Sequence, residues 1–291
     1  NHGIDWKTQH INKYSVKPNQ SHLSSLHFAN ARIGIAIGLG GHILNTIKGG
    51  FTFTHQKKDF LINGIHMMSQ YSGIIGGSFN PTGLPGPRFI HTRDGGKTWQ
   101  ADSLPSSSYK STIIFTSKDT GFVVGDPPEI RRTTDGGKTW QVKYKANHFL
   151  RGINFSDKQH GWVVGKKGVI LHTEDGGEQW KPQSSGIGNL LQSVHFINNR
   201  TGWVAGWNGT ILHTTNGGKN WHHQQSGTAK DLNAVHFFFF FTGLAVGDST
   251  VLYTRDGGNT WQKQPMRHSN VSFHSMHFPS RDTGYVISGK M

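Results

Sequence analysis

Thr173-Glu-Asp-Gly-Gly-Glu-Gln-Trp180 belongs to a set of five related octapeptides in this chain. The others are Thr92-Arg-Asp-Gly-Gly-Lys-Thr-Trp99, Thr133-Thr-Asp-Gly-Gly-Lys-Thr-Trp140, Thr214-Thr-Asn-Gly-Gly-Lys-Asn-Trp221 and Thr254-Arg-Asp-Gly-Gly-Asn-Thr-Trp261. A decayed copy, Thr46-Ile-Lys-Gly-Gly-Phe-Thr-Phe53, precedes them. Successive Trp stand 41, 40, 41 and 40 residues apart. Each octapeptide has the chemistry of a tight turn between two strands. Asp94, Asp135, Asp175, Asn216 and Asp256 can accept backbone N–H groups, and the paired glycines supply positive φ. Trp99, Trp140, Trp180, Trp221 and Trp261 then plug the core beside the turn.

The rest of the unit is as regular. Leu150 to Phe155 reads as a strand, and a polar loop follows. Gly161-Trp-Val-Val-Gly165 is a second strand, Val169 to Thr173 a third, and Trp180 opens a fourth. Four short strands every 40 residues, without helical periodicity, describe a propeller blade. First strands recur around Leu26, Ile65, Ile113, Ile153, Val194, Val235 and Met276. The expectation is an all-β, seven-bladed propeller in a single domain over 1–291. Its last blade is incomplete at Met291, since the spacing would place another turn Trp near 301. Asp5-Trp6-Lys-Thr-Gln9 resembles a fourth strand and is expected to close the ring as an outer strand.

Composition agrees. The 291 residues include 39 Gly, 18 Phe and 9 Trp, which suits many tight turns around a packed core. Cysteine is absent, so disulfides, thiolate metal sites and cysteine nucleophiles are excluded. No apolar run is long enough to span a membrane as a helix.

The octapeptides resemble the bacterial neuraminidase repeat, or Asp-box. The 40-residue unit, with Gly-Trp-Val-Val-Gly before Ile-Leu-His-Thr-x-Asp-Gly-Gly, resembles more specifically the photosystem II assembly and stability factor family over about residues 22 to 288. That resemblance implies a non-catalytic scaffold that binds another protein outside the cytoplasm, in a periplasm, a lumen or at a cell surface. The implied role is assembly factor or accessory subunit of a membrane-attached complex, with peripheral membrane contact. It further implies a basic, Arg-rich binding patch, for which Arg131-Arg132 is the one adjacent pair. The alternative is a secreted carbohydrate-binding or glycosidase-type Asp-box protein.

Catalysis has little to draw on. The only Glu are Glu129, Glu174 and Glu178. Asp126 and Asp248 occupy equivalent turns three blades apart and read as turn caps. No catalytic, cofactor or metal residue is assigned. Histidine recurs on first strands (His27, His66, His195, His236, His277) and third strands (His91, His172, His213). Repeat packing, with hydrogen bonds to the next blade, explains this better than a metal ring.

Three features stand out as partner-binding candidates. Arg131 and Arg132 are the first. The second is the long loop of blade two, with Ser78, Phe79, Leu84 and Arg88, where prolines lower the ordering cost. The third is Phe237 to Phe241, where only Phe237 falls on a core position. Phe238 and Phe239 either dock on a partner or lipid or are buried by local rearrangement. Lys plus Arg is 30 against 16 acidic residues, a formal charge of +14. Such a chain seeks anionic surfaces. The cations are spread over all blades without a basic run, so an acidic protein surface fits better than nucleic acid.

Overall fold

A computed structural model describes residues 23–58, 61–78, 89–102, 110–265, 270–280 and 282–290. It contains six four-stranded antiparallel sheets, each with its strands in sequence order, and one two-stranded sheet. The inner strands of the six blades are Leu23–Phe28, Leu61–Met67, Lys110–Phe115, Leu150–Phe155, Leu191–Phe196 and Leu232–Phe237. Val271–His277 and Tyr285–Lys290 form the seventh sheet. The seven expected blades are thus corrected to six complete ones and a two-stranded seventh. Among the described residues that unit shows two strands. The outer strand expected at Asp5-Trp6 lies outside the described residues.

The sequence pattern sets each blade. Gly161–Gly165 is buried at every position. A strand covered on both faces by neighbouring blades reads as a continuous apolar run rather than an alternating one. Third strands are shorter, as in Ile170–Thr173, and fourth strands, as in Lys181–Gln183, are largely exposed at the rim.

The octapeptide is the turn it was expected to be. Thr173 Oγ1 donates to Asp175 Oδ1 at 2.8 Å and accepts from the Gly177 amide at 2.9 Å. Asp175 Oδ1 also accepts from the Gln179 amide at 3.0 Å. Gly176 and Gly177 have φ of 69° and 80°. At Gly177 a Cβ would lie 2.2 Å from the Phe122 ring of the preceding blade, so close approach as well as φ demands glycine there. The Gly176 amide donates to the Gln159 carbonyl, tying the turn to the first loop of its own blade. Asp175→Ala removes two of these bonds. It should lower stability by about 1–2 kcal/mol in a urea titration and leave the fold intact.

Blade seams are built from aromatics. Trp162 is fully buried and stacks on Phe196 of the next blade, centroids 3.4 Å apart and planes 6° apart. His172 covers its other face at 4.5 Å. The Trp162 Nε1–H donates to the Gly217 carbonyl in the next blade's turn. Trp203 repeats the arrangement with Phe237, His213 and Gly257. The box tryptophans meet the same Phe edge-on, as Trp221 does Phe196 and Trp261 does Phe237. Tyr285 of the seventh sheet stacks on Phe28 of blade one at 3.6 Å, and its hydroxyl donates to the Ala31 carbonyl.

Candidate functional site

Inner strands pack successively on one another, and Val271–His277 packs between those of blades six and one. The inner edge of each such strand presents backbone groups that no further strand can pair. Side chains of the preceding blade supply the partners. His27 Nδ1 accepts the Met67 amide, His195 Nδ1 the Phe237 amide and His277 Nδ1 the Phe28 amide, at 3.1 to 3.3 Å. Asn154 does the same for the Phe196 amide at 2.9 Å. His27, His195 and His277 are therefore interblade acceptors, as expected of the first-strand histidines. An imidazole that accepts at Nδ1 must be neutral with its proton on Nε2. Burial pushes His66, His195 and His277 down to about 4. His236 falls to about 2, through burial and then through His195 and His277. His27, packed between His66 and His277, is also held well below 6.5 by burial and then by these neighbours.

Arg131 and Arg132 lie on the third strand of blade three, Glu129–Thr133, and half-buried ion pairs hold both. Arg131 reaches back to Glu129 at 2.8 Å. Arg132 crosses the seam to Glu178 in the turn of blade four at 2.5 Å, and Lys143 takes the other oxygen of that carboxylate. The pair thus staples strands and blades, and its charge is largely met within the molecule. Ser78 ends the strand Gly73–Ser78, while Phe79, Leu84 and Arg88 lie outside the described residues. Phe237 is buried, as its core position requires. Phe238 packs edge-on against His236 and Phe278, and Phe239, Phe240 and Phe241 are exposed.

The Asp-box carboxylates and Glu178 are held ionised. The Thr98 hydroxyl and amide hold Asp94 at about 2, and those of Thr260 do the same for Asp256. Hydrogen bonding by Lys143 lowers Glu178. A glycosidase acid needs the opposite shift. Asp248 Oδ1 accepts the Ser272 hydroxyl at 2.6 Å, a bond to the inner strand of the seventh sheet and not the cap of its own turn that its sequence suggested.

One concavity escaped the sequence reading. A groove of about 290 Å³ opens at the seam of blades four and five on the Asp-box face. His160, His172, Glu174, Arg200 and Lys219 line it. His172 Nε2 is buried there without a hydrogen bond, and burial lowers this imidazole. The signal was available. Apart from His172, which recurs on third strands, these residues fill variable slots of two adjacent repeats, which meet only once blades are stacked.

Residues 141–229 match the family model described as Photosynthesis system II assembly factor YCF48. The chain resembles the YCF48 proteins. A solved structure titled YCF48 bound to D1 peptide is 21% identical with a TM-score of 0.76, covering 93% of this chain and 90% of that one. YCF48 from Cyanidioschyzon merolae is 17% identical with a TM-score of 0.75, covering 93% and 94%. The GH74 xyloglucanase of Xanthomonas campestris is 11% identical with a TM-score of 0.67, covering 81% of this chain but 45% of the enzyme. No curated protein sequence matches the chain. At these identities the structural likeness establishes the propeller fold.

Proposed function

We propose that this chain is a non-catalytic protein-binding scaffold, an assembly factor of the photosystem II kind acting outside the cytoplasm beside a membrane complex. The observation that carries this reading is the YCF48 likeness: a family match over 141–229 within a fold similar along 93% of the chain to a YCF48 bound to D1 peptide. The lowered carboxylates favour binding over acid–base chemistry. The partner is an acidic segment of a membrane protein. Its contacts are the loop bearing Ser78, Phe79, Leu84 and Arg88 and, where the partner's carboxylates replace Glu129 and Glu178, Arg131 and Arg132. The chain is one domain.

The test is a titration of labelled D1 peptide with the full chain at about 50 and about 500 mM salt. Exposed charges more than a Debye length apart are largely screened, and that length falls from about 10 Å at 0.1 M to about 3 Å at 1 M. Affinity should weaken several-fold over this range, mainly through the on-rate. Arg131→Gln with Arg132→Gln should weaken it further at low salt. Absence of binding at both salts overturns the proposal. Binding that is flat in salt removes its electrostatic part and leaves the loop as the contact.

A further inference from the structure

Blades one to five share a device in the loop after the inner strand. A short polar side chain at one fixed position folds back onto the loop backbone. Asn30 accepts the amides of Arg32 and Ile33. Ser69 serves Tyr71 and Ser72, and Ser117 serves Asp119 and Thr120. Asp157 serves Gln159 and His160, and Asn198 serves Arg200 and Thr201. Such bonds are why Asn, Asp and Ser dominate turns. In blade six the position is Phe239, whose side chain has no acceptor. The loop keeps the shared frame, since the Phe238 amide donates to the Thr242 carbonyl and the Phe241 carbonyl accepts the Gly257 amide. It has exchanged a local stabilising group for an apolar one at its tip. A broken local rule at an exposed loop tip points to function.

The tip carries three consecutive exposed rings. Phe239, Phe240 and Phe241 are 46%, 54% and 66% exposed. Strands alternate in direction, so inner-strand loops and box turns leave the propeller at the same face. On that face, across the seventh sheet, the decayed box of blade one exposes Ile47 and Phe51, at 64% and 78%. Cations surround the two apolar points. Arg200, Lys219, Arg255, Arg32 and Lys48 are exposed on this sector, against Asp256 and Asp282 among the described residues. A protruding apolar tip needs no complementary pocket if it enters the acyl boundary of a bilayer, and excess cations suit anionic headgroups at about 1 kcal/mol each.

We propose that the Asp-box face at blades five, six and one docks on an anionic lipid surface, with Phe239–Phe241 inserted at the interface. This stands on geometry separate from the protein-binding reading. The test is flotation of the full chain with phosphatidylcholine vesicles, with and without phosphatidylglycerol. The chain should float with the anionic vesicles and much less with the neutral ones. Phe239→Asn, Phe240→Asn and Phe241→Arg together transplant the loop of blade five. This variant should lose vesicle binding at least about tenfold although it gains a positive charge. Its melting temperature should hold or rise, because Asn at 239 restores the cap. Lys48→Gln with Arg255→Gln should weaken binding to the anionic vesicles several-fold. D1-peptide affinity of the loop variant should stay within about twofold, which separates this proposal from the previous one. Failure of the unmodified chain to bind anionic vesicles overturns the proposal, as does a loop variant that binds equally well. A self-associated chain that the loop variant turns monomeric, without vesicle binding, reassigns the rings to a protein contact.

Discussion

Acidification from about pH 7 to about pH 4.5 is expected to strip most of the stability from this propeller, well before Asp94 and Asp256 of its turns titrate. The cause is the inner ring of histidines. In the unfolded chain a histidine takes up its proton near 6.5. In the folded chain His66, His195 and His277 resist protonation down to about 4, and His27 and His236 are also strongly lowered. Above pH 6.5 both states are neutral and stability does not depend on these groups. Between 6.5 and 4 the unfolded state binds protons that the folded state refuses, so stability falls as pH falls. Below about 4 His195 and His277 protonate, and their Nδ1 atoms can no longer accept the amides of Phe237 and Phe28. A fully linked group changes stability by about 1.4 kcal/mol per pH unit. Five groups at half that effect would consume a margin of about 5–15 kcal/mol within a few pH units. The box carboxylates act elsewhere. Asp94 and Asp256, lowered to about 2, hold their contribution above pH 4 and lose it only as pH falls towards 2. Calorimetric melting from about pH 7.5 to about pH 4 is the measurement. His195→Asn copies what Asn154 already does one blade earlier, keeping the acceptor and removing the titration. It should flatten the acid limb by about 1 kcal/mol per unit. A melting temperature that is flat down to pH 4.5 would show that these rings are hydrated enough to protonate in place.

The fold was legible because it is written repeatedly. Five turns with Trp at nearly constant spacing fix strand number and order, and every inner strand falls where its repeat position predicts. Blade count was less legible, since a period counts units begun rather than sheets completed. The seventh unit begins with Met276 in register but pairs only two strands among the described residues. Sites were harder for a physical reason. Arg131-Arg132 looked like a patch because neighbours in sequence were read as neighbours in space. Strand alternation sends the two side chains to opposite faces, and Arg132 finds Glu178 46 residues away. The groove at the seam of blades four and five was missed for the same reason, because its walls come from two repeats.

The seams also redirect the largest packing effect. The sequence pointed to the box Trp as the core plug, and Trp180 is indeed buried, yet Trp140, Trp221 and Trp261 are only partly so. The second-strand aromatic lies deeper. Trp162 has no exposed surface and is sandwiched between His172 of its own blade and Phe196 of the next. Trp162→Ala therefore removes the filling of an interblade joint. The lost transfer energy and the residual cavity should cost about 3–5 kcal/mol, at the upper end because two packed blades collapse poorly onto a void. The hydrogen bond to Gly217 adds little, since that carbonyl also accepts from Gln183 Nε2 at 2.8 Å and is not left unpaired. Trp162→Phe should cost about 1–2 kcal/mol, because a smaller ring keeps the stack on Phe196 but leaves part of the volume empty. Urea unfolding gives both values. Amide exchange provides the local reading, with faster exchange at Gly202–Gly206 and Ile170–Thr173 than at the same strands of blade one. A loss below about 1 kcal/mol for the alanine variant would mean that seam packing carries less of the stability than the turns. The Asp175→Ala variant would then be the more damaged of the two.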